Sequence, residues 1–194
     1  MEINERELLV TNTLVENFYK VLPLELRTYC PVTSLICKNV LLHFGIKADL
    51  LPCQVWLVTP DHNFVVGFTG NTSTPQKWDG HVVCATENLI IDAALHHFSK
   101  EFDLNVPLAA AVLRFQMSTQ VIARHDLNEK NGLWWHCPPS APEIDVTVPE
   151  QPTDVIAKYS AQMIEHLSGM PAIVLGNGTF NHARSDANNP WQKQ

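Results

Sequence analysis

Basic residues are scarce in this chain: 13 Lys plus Arg stand against 20 Asp plus Glu in 194 residues, the net charge is -7, and no basic run occurs. A surface of that sign repels phosphate backbones, so nucleic acid is not expected as a partner. Long apolar runs are also missing, and none approaches the roughly 20 residues that a membrane-spanning helix requires. The opening stretch, MEINERELLV, is charged where a secretory signal is apolar, so a cytoplasmic protein without membrane association is expected. Cysteine is sparse and odd in number: five residues, at 30, 37, 53, 84 and 137, with no CxxC pair. That pattern argues against a disulfide framework and for free thiols. Nine histidines include no HExxH or similar zinc spacing, so no metal and no other cofactor is expected. No internal repeat is visible.

What the chain does have is 45% hydrophobic content, enough for one well-buried core and short for two. A single domain over residues 1–176 is expected, followed by a polar tail over 177–194, rich in Asn, Gly and Ser, with little to bury. Asn4 followed by Glu7 resembles a capping box, and Leu8, Leu9, Val15, Phe18, Tyr19 and Leu22 continue at helical spacing up to Pro23. A second amphipathic run, Val32, Leu35, Ile36, Val40, Leu41 and Phe44, ends at Gly45 and predicts a helix over Pro31 to Phe44. Beyond Gly45 the texture changes to short apolar runs predicting strands at Gln54 to Thr59, Asn63 to Phe68, His81 to Thr86 and Leu89 to Asp92, with Gly70 to Lys77 as a loop. Pro107 to Ile122 reads as helix, centred on Ala109 to Ala111, and then strand. Trp134, Trp135, His136 and Cys137 lead into a proline-rich connection through Pro152. Thr153 opens a last helix to about Leu167, and Ile173 to Leu175 predicts a short strand. These elements make an α+β protein with a helix packed on an antiparallel sheet.

Cys30 precedes Pro31, which suits the first helical position, so the sulfur falls at or next to the N-cap of the second helix. Unpaired backbone N–H groups and the positive end of the helix dipole favour thiolate there. Such a cysteine is either a nucleophile or a small buried hydrophobe, and its partners decide between the two. The segment WDGHVVCATENLIIDAAL supplies candidates. If Glu87-Asn88 is a two-residue hairpin turn, Val83 faces Asp92 and Cys84 faces Ile91. His81 shares the face of Val83, so His81 and Asp92 are diagonal neighbours about 7 to 8 Å apart at the backbone, within imidazole-to-carboxylate reach. Each alone also reads as an ordinary strand histidine and a turn carboxylate. Cys84 falls on the opposite face, and Cys37 lies two turns into the helix, where burial makes a thiol inert.

A thiolate, an imidazole that shares and returns its proton, and a carboxylate that orients the ring are the parts that acyl transfer requires. The Cys30 helix resembles the nucleophile helix of the transglutaminase-like branch of the papain-like fold, in which a Gly-Ile-Pro-Ala-Arg turn follows the cysteine; this chain has Gly45-Ile46-Lys47-Ala48-Asp49 in that frame. His81-Val82-Val83 is similar to the family's histidine strand, and Asp92-Ala93-Ala94-Leu95 to its Asp-Pro-Thr-Leu ending, with Lys47 and Ala93 standing where the family has proline. The resemblance spans roughly residues 25 to 95. It implies a Cys30, His81, Asp92 triad acting on a protein, a peptide or a small amide or acyl substrate, by hydrolysis or by transfer. Gln54 and Trp56, on the strand after the helix, are candidates for oxyanion or substrate contacts. An arylamine N-acetyltransferase-like enzyme, without the Arg-Gly-Gly-x-Cys motif, and a non-catalytic binding module that keeps the fold are the alternatives.

Overall fold

The computed structural model describes residues 4–67, 80–101, 104–115, 120–137 and 153–170, the side chains of 99–101 excepted. The expected loop at Gly70 to Lys77, most of the proline-rich connection, the strand at Ile173 to Leu175 and the boundary between domain and tail lie outside these residues. Helix α1 runs Glu5–Val21 and α2 runs Cys30–His43, with a short 3-10 turn over Leu24–Thr28 between them. Strands β1 (Asp49–Val58), β2 (Asn63–Val66), β3 (His81–Ala85) and β4 (Leu89–Asp92) follow. Then come α3 (His96–Glu101), β5 (Ala110–Leu113), β6 (Val121–Asp126), β7 (Gly132–His136) and α4 (Thr153–Ser168). The architecture is α+β.

One expectation about the strands is corrected. Ala109 to Ala111 do not form a helix: Ala110 begins β5, which pairs along all of β4 from Leu89↔Leu113 to Asp92↔Ala110. Alanine's helix preference is worth only tenths of a kcal/mol against a backbone pairing with a buried strand. Strand β7 was not anticipated, because Gly-Leu-Trp-Trp-His carries aromatic side chains on both faces and so hides its period of two; Trp135 is buried and Trp134 only partly so. The short α3 also went unanticipated.

The strands form one antiparallel sheet in the order β5-β4-β3-β1-β7-β6, with β2 paired to the far half of β1. The sheet nearly closes on itself, since Arg114 bridges Ala123 and the Phe115 N–H donates to the Ile122 carbonyl at 2.7 Å. Its concave side is filled by Cys53, Val55, Leu57, Val83, Ile90, Leu133 and Trp135. The other side carries Cys84, Leu89 and Ile91 against Leu14, Phe18, Ile36, Val40, Leu41 and Met163 of α1, α2 and α4. Each of these fully buried aliphatic side chains contributes about 1.5–3 kcal/mol, which is what fixes α2 on the sheet.

At the start of α1 the side chain of Asn4 accepts from the Arg6 N–H at 3.0 Å, as an N-cap does. Glu7, the expected partner in a capping box, is buried and used elsewhere: Thr86 donates its hydroxyl to one carboxylate oxygen, and Asn88 Nδ2 donates to the other at 3.1 Å. The first helix is thereby tied to the β3–β4 turn.

Candidate active site

The β3–β4 hairpin sets the geometry. Cys84 pairs with Ile91 and Ala85 with Ile90, and the Thr86 N–H donates to the Leu89 carbonyl at 2.9 Å, so Glu87-Asn88 is a two-residue turn, the condition on which the expected register depended. Glu-Asn is not a favoured hairpin dipeptide. The Thr86 hydroxyl makes it workable, accepting from the Leu89 N–H at 2.9 Å and the Asn88 N–H at 3.3 Å.

On the resulting strand pair, His81 Nε2 lies 2.7 Å from Asp92 Oδ2, with both side chains buried. Asp92 accepts from two further donors: Trp135 Nε1 donates to the same Oδ2 at 2.8 Å, and the Ala94 N–H donates to Oδ1 at 3.0 Å. Burial alone would raise its pKa, but the charge and hydrogen bond of His81, then Trp135 and Ala94, outweigh it and hold the carboxyl below its usual range. Burial likewise opposes a charged imidazole; the charge and bond of Asp92, together with a hydrogen bond to Cys30, overcome it and push His81 up to about 10. Each partner thus favours the charged form of the other. Tyr19 of α1 donates its hydroxyl to the Ala93 carbonyl, holding the backbone that follows Asp92.

Cys30 is the first residue of α2, after Tyr29 as N-cap, and is partly exposed. One turn further on, Ser34 Oγ donates to the Val82 carbonyl at 2.9 Å in a buried contact. That bond sets the first turn of α2 at the start of β3, where the Cys30 side chain hydrogen-bonds His81. The three residues named from sequence are therefore one connected chain of hydrogen bonds.

Three of the other thiols differ in kind, being buried. Cys37 is fully buried, and burial, with Cys84 and Asp92 nearby, pushes its pKa well above the usual range. Cys84 faces the α2 side, away from His81, and burial raises it to about 12. Cys53 lies opposite His81 on β1 and is raised by burial, then by Asp92, Cys30 and Cys137.

Gln54 and Trp56 extend the sheet face on which α2 packs, since Leu50 and Pro52 pair with Cys84 and Val82 on that face and side chains alternate along β1. Gln54 pairs with His136, and its Oε1 accepts from Trp56 Nε1 at 3.2 Å. The Trp56 ring lies 5.0 Å from that of His136. Trp135 and Tyr19 were missed as site residues: an aromatic in an apolar run carries no mark of a distant carboxylate or carbonyl.

Among the described residues, no group of three or more His, Cys, Asp or Glu side chains is placed to hold a metal ion. Nor is any helix among them long and apolar enough to cross a membrane. Comparison with family models, with curated proteins and with solved structures finds no match.

Proposed function

We propose that this chain is a thiol-dependent acyl-transfer enzyme of transglutaminase-like, papain-like build, with Cys30 as nucleophile, His81 as proton carrier and Asp92 as the carboxylate that orients and charges the ring. The observation that carries this reading is the 2.7 Å contact of His81 Nε2 with Asp92 Oδ2, on a buried ring that Cys30 also acts on. An isolated buried histidine would lose its charge; this one keeps it beside a sulfur at a helix N-terminus, the setting in which a cysteine works as a nucleophile.

The Cys30 sulfur attacks the substrate carbonyl carbon, and the oxyanion that forms lies near the N–H groups opening α2. His81 gives its proton to the departing amine as the C–N bond breaks, leaving a thioester on Cys30. Water, or an acceptor amine, then attacks the thioester while His81 takes its proton, and the sulfur leaves as thiolate. Gln54, on the helix-side face of β1, is the side chain proposed to assist the oxyanion, and Trp56 beside it to contact the acyl group. The substrate is a protein, a peptide or a small amide or acyl compound. Five cysteines, all free, fit a reducing cytoplasmic setting.

Labelling by a broad thiol-directed acylating probe, read by mass mapping beside thermal unfolding, tests this. Cys30 is expected to label first among the five cysteines, and Cys30→Ala and His81→Ala to abolish labelling. Equal labelling of wild type and His81→Ala at normal stability would refute the triad and favour a binding module that keeps the fold.

A further inference from the structure

The carboxylate of Asp92 is reached from the first helix through a single peptide group. Asp92 is the last residue of β4, and the ladder of that strand ends at its pairing with Ala110. The chain then leaves the sheet with Ala93 and Ala94 both buried, so the carbonyl and the N–H of the peptide between them need partners from elsewhere. The Tyr19 hydroxyl donates to the Ala93 carbonyl. The N–H of the same peptide group, that of Ala94, donates to Asp92 Oδ1 at 3.0 Å. From there the path continues through the other carboxylate oxygen to His81 Nε2 at 2.7 Å.

The packing of α1 brings Tyr19 here. Phe18 is completely buried and fixes the rotation of the helix, and the Tyr19 ring, in edge contact with it at 5.1 Å, packs at the margin of the same core with its hydroxyl at the end of β4. Burial, then Cys37 of α2 and Asp92, raise the pKa of the phenol, and the charge of Arg27 in the 3-10 turn opposes them less. The hydroxyl therefore keeps its proton and serves as a donor.

We infer that Tyr19 is a positioning residue of the site: acting through the Ala93–Ala94 peptide group, its hydroxyl sets the strength and direction of the hydrogen bond that holds Asp92 Oδ1, and thereby the carboxylate that His81 meets. A donor on a carbonyl polarises the amide and makes its N–H a stronger donor in turn, by roughly 10–30% per bond. The same bond stops the peptide plane from turning, which would swing the Ala94 N–H off Oδ1. The phenol moves no proton and touches no reacting atom. Its effect on Cys30 rests on the triad proposed above, whereas its coupling to Asp92 does not.

The test is Tyr19→Phe in the full chain, which keeps the ring in the core and removes the hydroxyl. The Ala94 amide proton is expected to move upfield in the NMR spectrum as its bond to Asp92 weakens, and alkylation of Cys30 by iodoacetamide to slow about 2- to 10-fold, the worth of one ordinary hydrogen bond. On an Asp92→Asn background the same substitution is expected to cause no further slowing, because Tyr19 reaches Cys30 only through the carboxylate. An equal slowing in both backgrounds, or an Ala94 proton that does not move, overturns the inference and leaves Tyr19 a packing residue. Replacement of all three tyrosines by 3-fluorotyrosine, a more acidic and stronger donor, reads the opposite sign without deleting a bond. The Ala94 proton is then expected to move downfield, and no movement overturns the inference even where Tyr19→Phe fails to fold. If iodoacetamide labels another cysteine first in the wild type, the nucleophile assignment falls, while the Ala94 shift still decides the coupling.

Discussion

His81 and Trp135 meet on one atom: both donate to Oδ2 of Asp92, at 2.7 and 2.8 Å, inside the nearly closed sheet. The oxygen's acceptor directions are filled, and the carboxylate is fixed in ionisation and in orientation at once. An imidazole beside it is held charged although it is buried.

Asp92→Asn follows directly from that geometry. Two donors converge on the Oδ2 position and one on Oδ1, so an amide placed with its oxygen toward Trp135 and His81 turns its NH2 against the Ala94 N–H. His81 then has no counter-ion, and its pKa falls from about 10. Probe labelling of Cys30 is expected to drop roughly 10²- to 10⁴-fold. The fall in the His81 pKa, followed by NMR titration of its ring, checks the cause separately.

Trp135→Phe keeps the ring in the core and deletes one hydrogen bond to a charged acceptor, a loss of about 1.5–3 kcal/mol in urea unfolding. With one donor fewer, the Asp92 carboxyl titrates at higher pH, so the midpoint of acid unfolding is expected to move up. A tryptophan that only filled space would leave that midpoint unchanged relative to overall stability.

The ion pair also predicts the shape of stability against pH. His81 rises from 6.5 to about 10 on folding, so its contribution is complete below pH 6.5, declines as pH rises and is gone above about 10. Asp92 is lowered from 3.8, so its contribution is complete above that value and is lost as pH falls through the lower folded pKa. Together they place the greatest stabilisation by the pair between about pH 4 and 6.5, and His81→Gln should flatten the alkaline slope in chemical unfolding.

Gly67 has a φ of 116°, and a Cβ there would press on the Cys53 carbonyl and the His81 backbone nitrogen. Gly67→Ala is expected to cost about 1–3 kcal/mol in backbone strain and to shift β3 at its first residue. Slower Cys30 labelling together with a lower melting temperature is the expected result; an unchanged rate would show that His81 tolerates the shift.

Some of this was legible before any coordinates. The step from a period of 3.6 to a period of 2 at Gly45 is a local signal, since it reflects which face of each element meets the core, and it located α2 and the first four strands. The hairpin register was legible too, because Glu87-Asn88 fixes pairing over a handful of residues, and pairing alone brings His81 to Asp92. Other features depended on contacts between residues far apart in the chain. Ala110 became strand because β4 offered it partners, against its own preference. Trp135 reached Asp92, and Glu7 reached Thr86 and Asn88, only because the sheet curls and α1 crosses its edge. Such contacts leave no periodicity: one buried donor or carboxylate looks the same in sequence whether it finds its partner three residues away or far along the chain. The sequence determined which side chains could do the chemistry; the folded sheet decided which of them stand together.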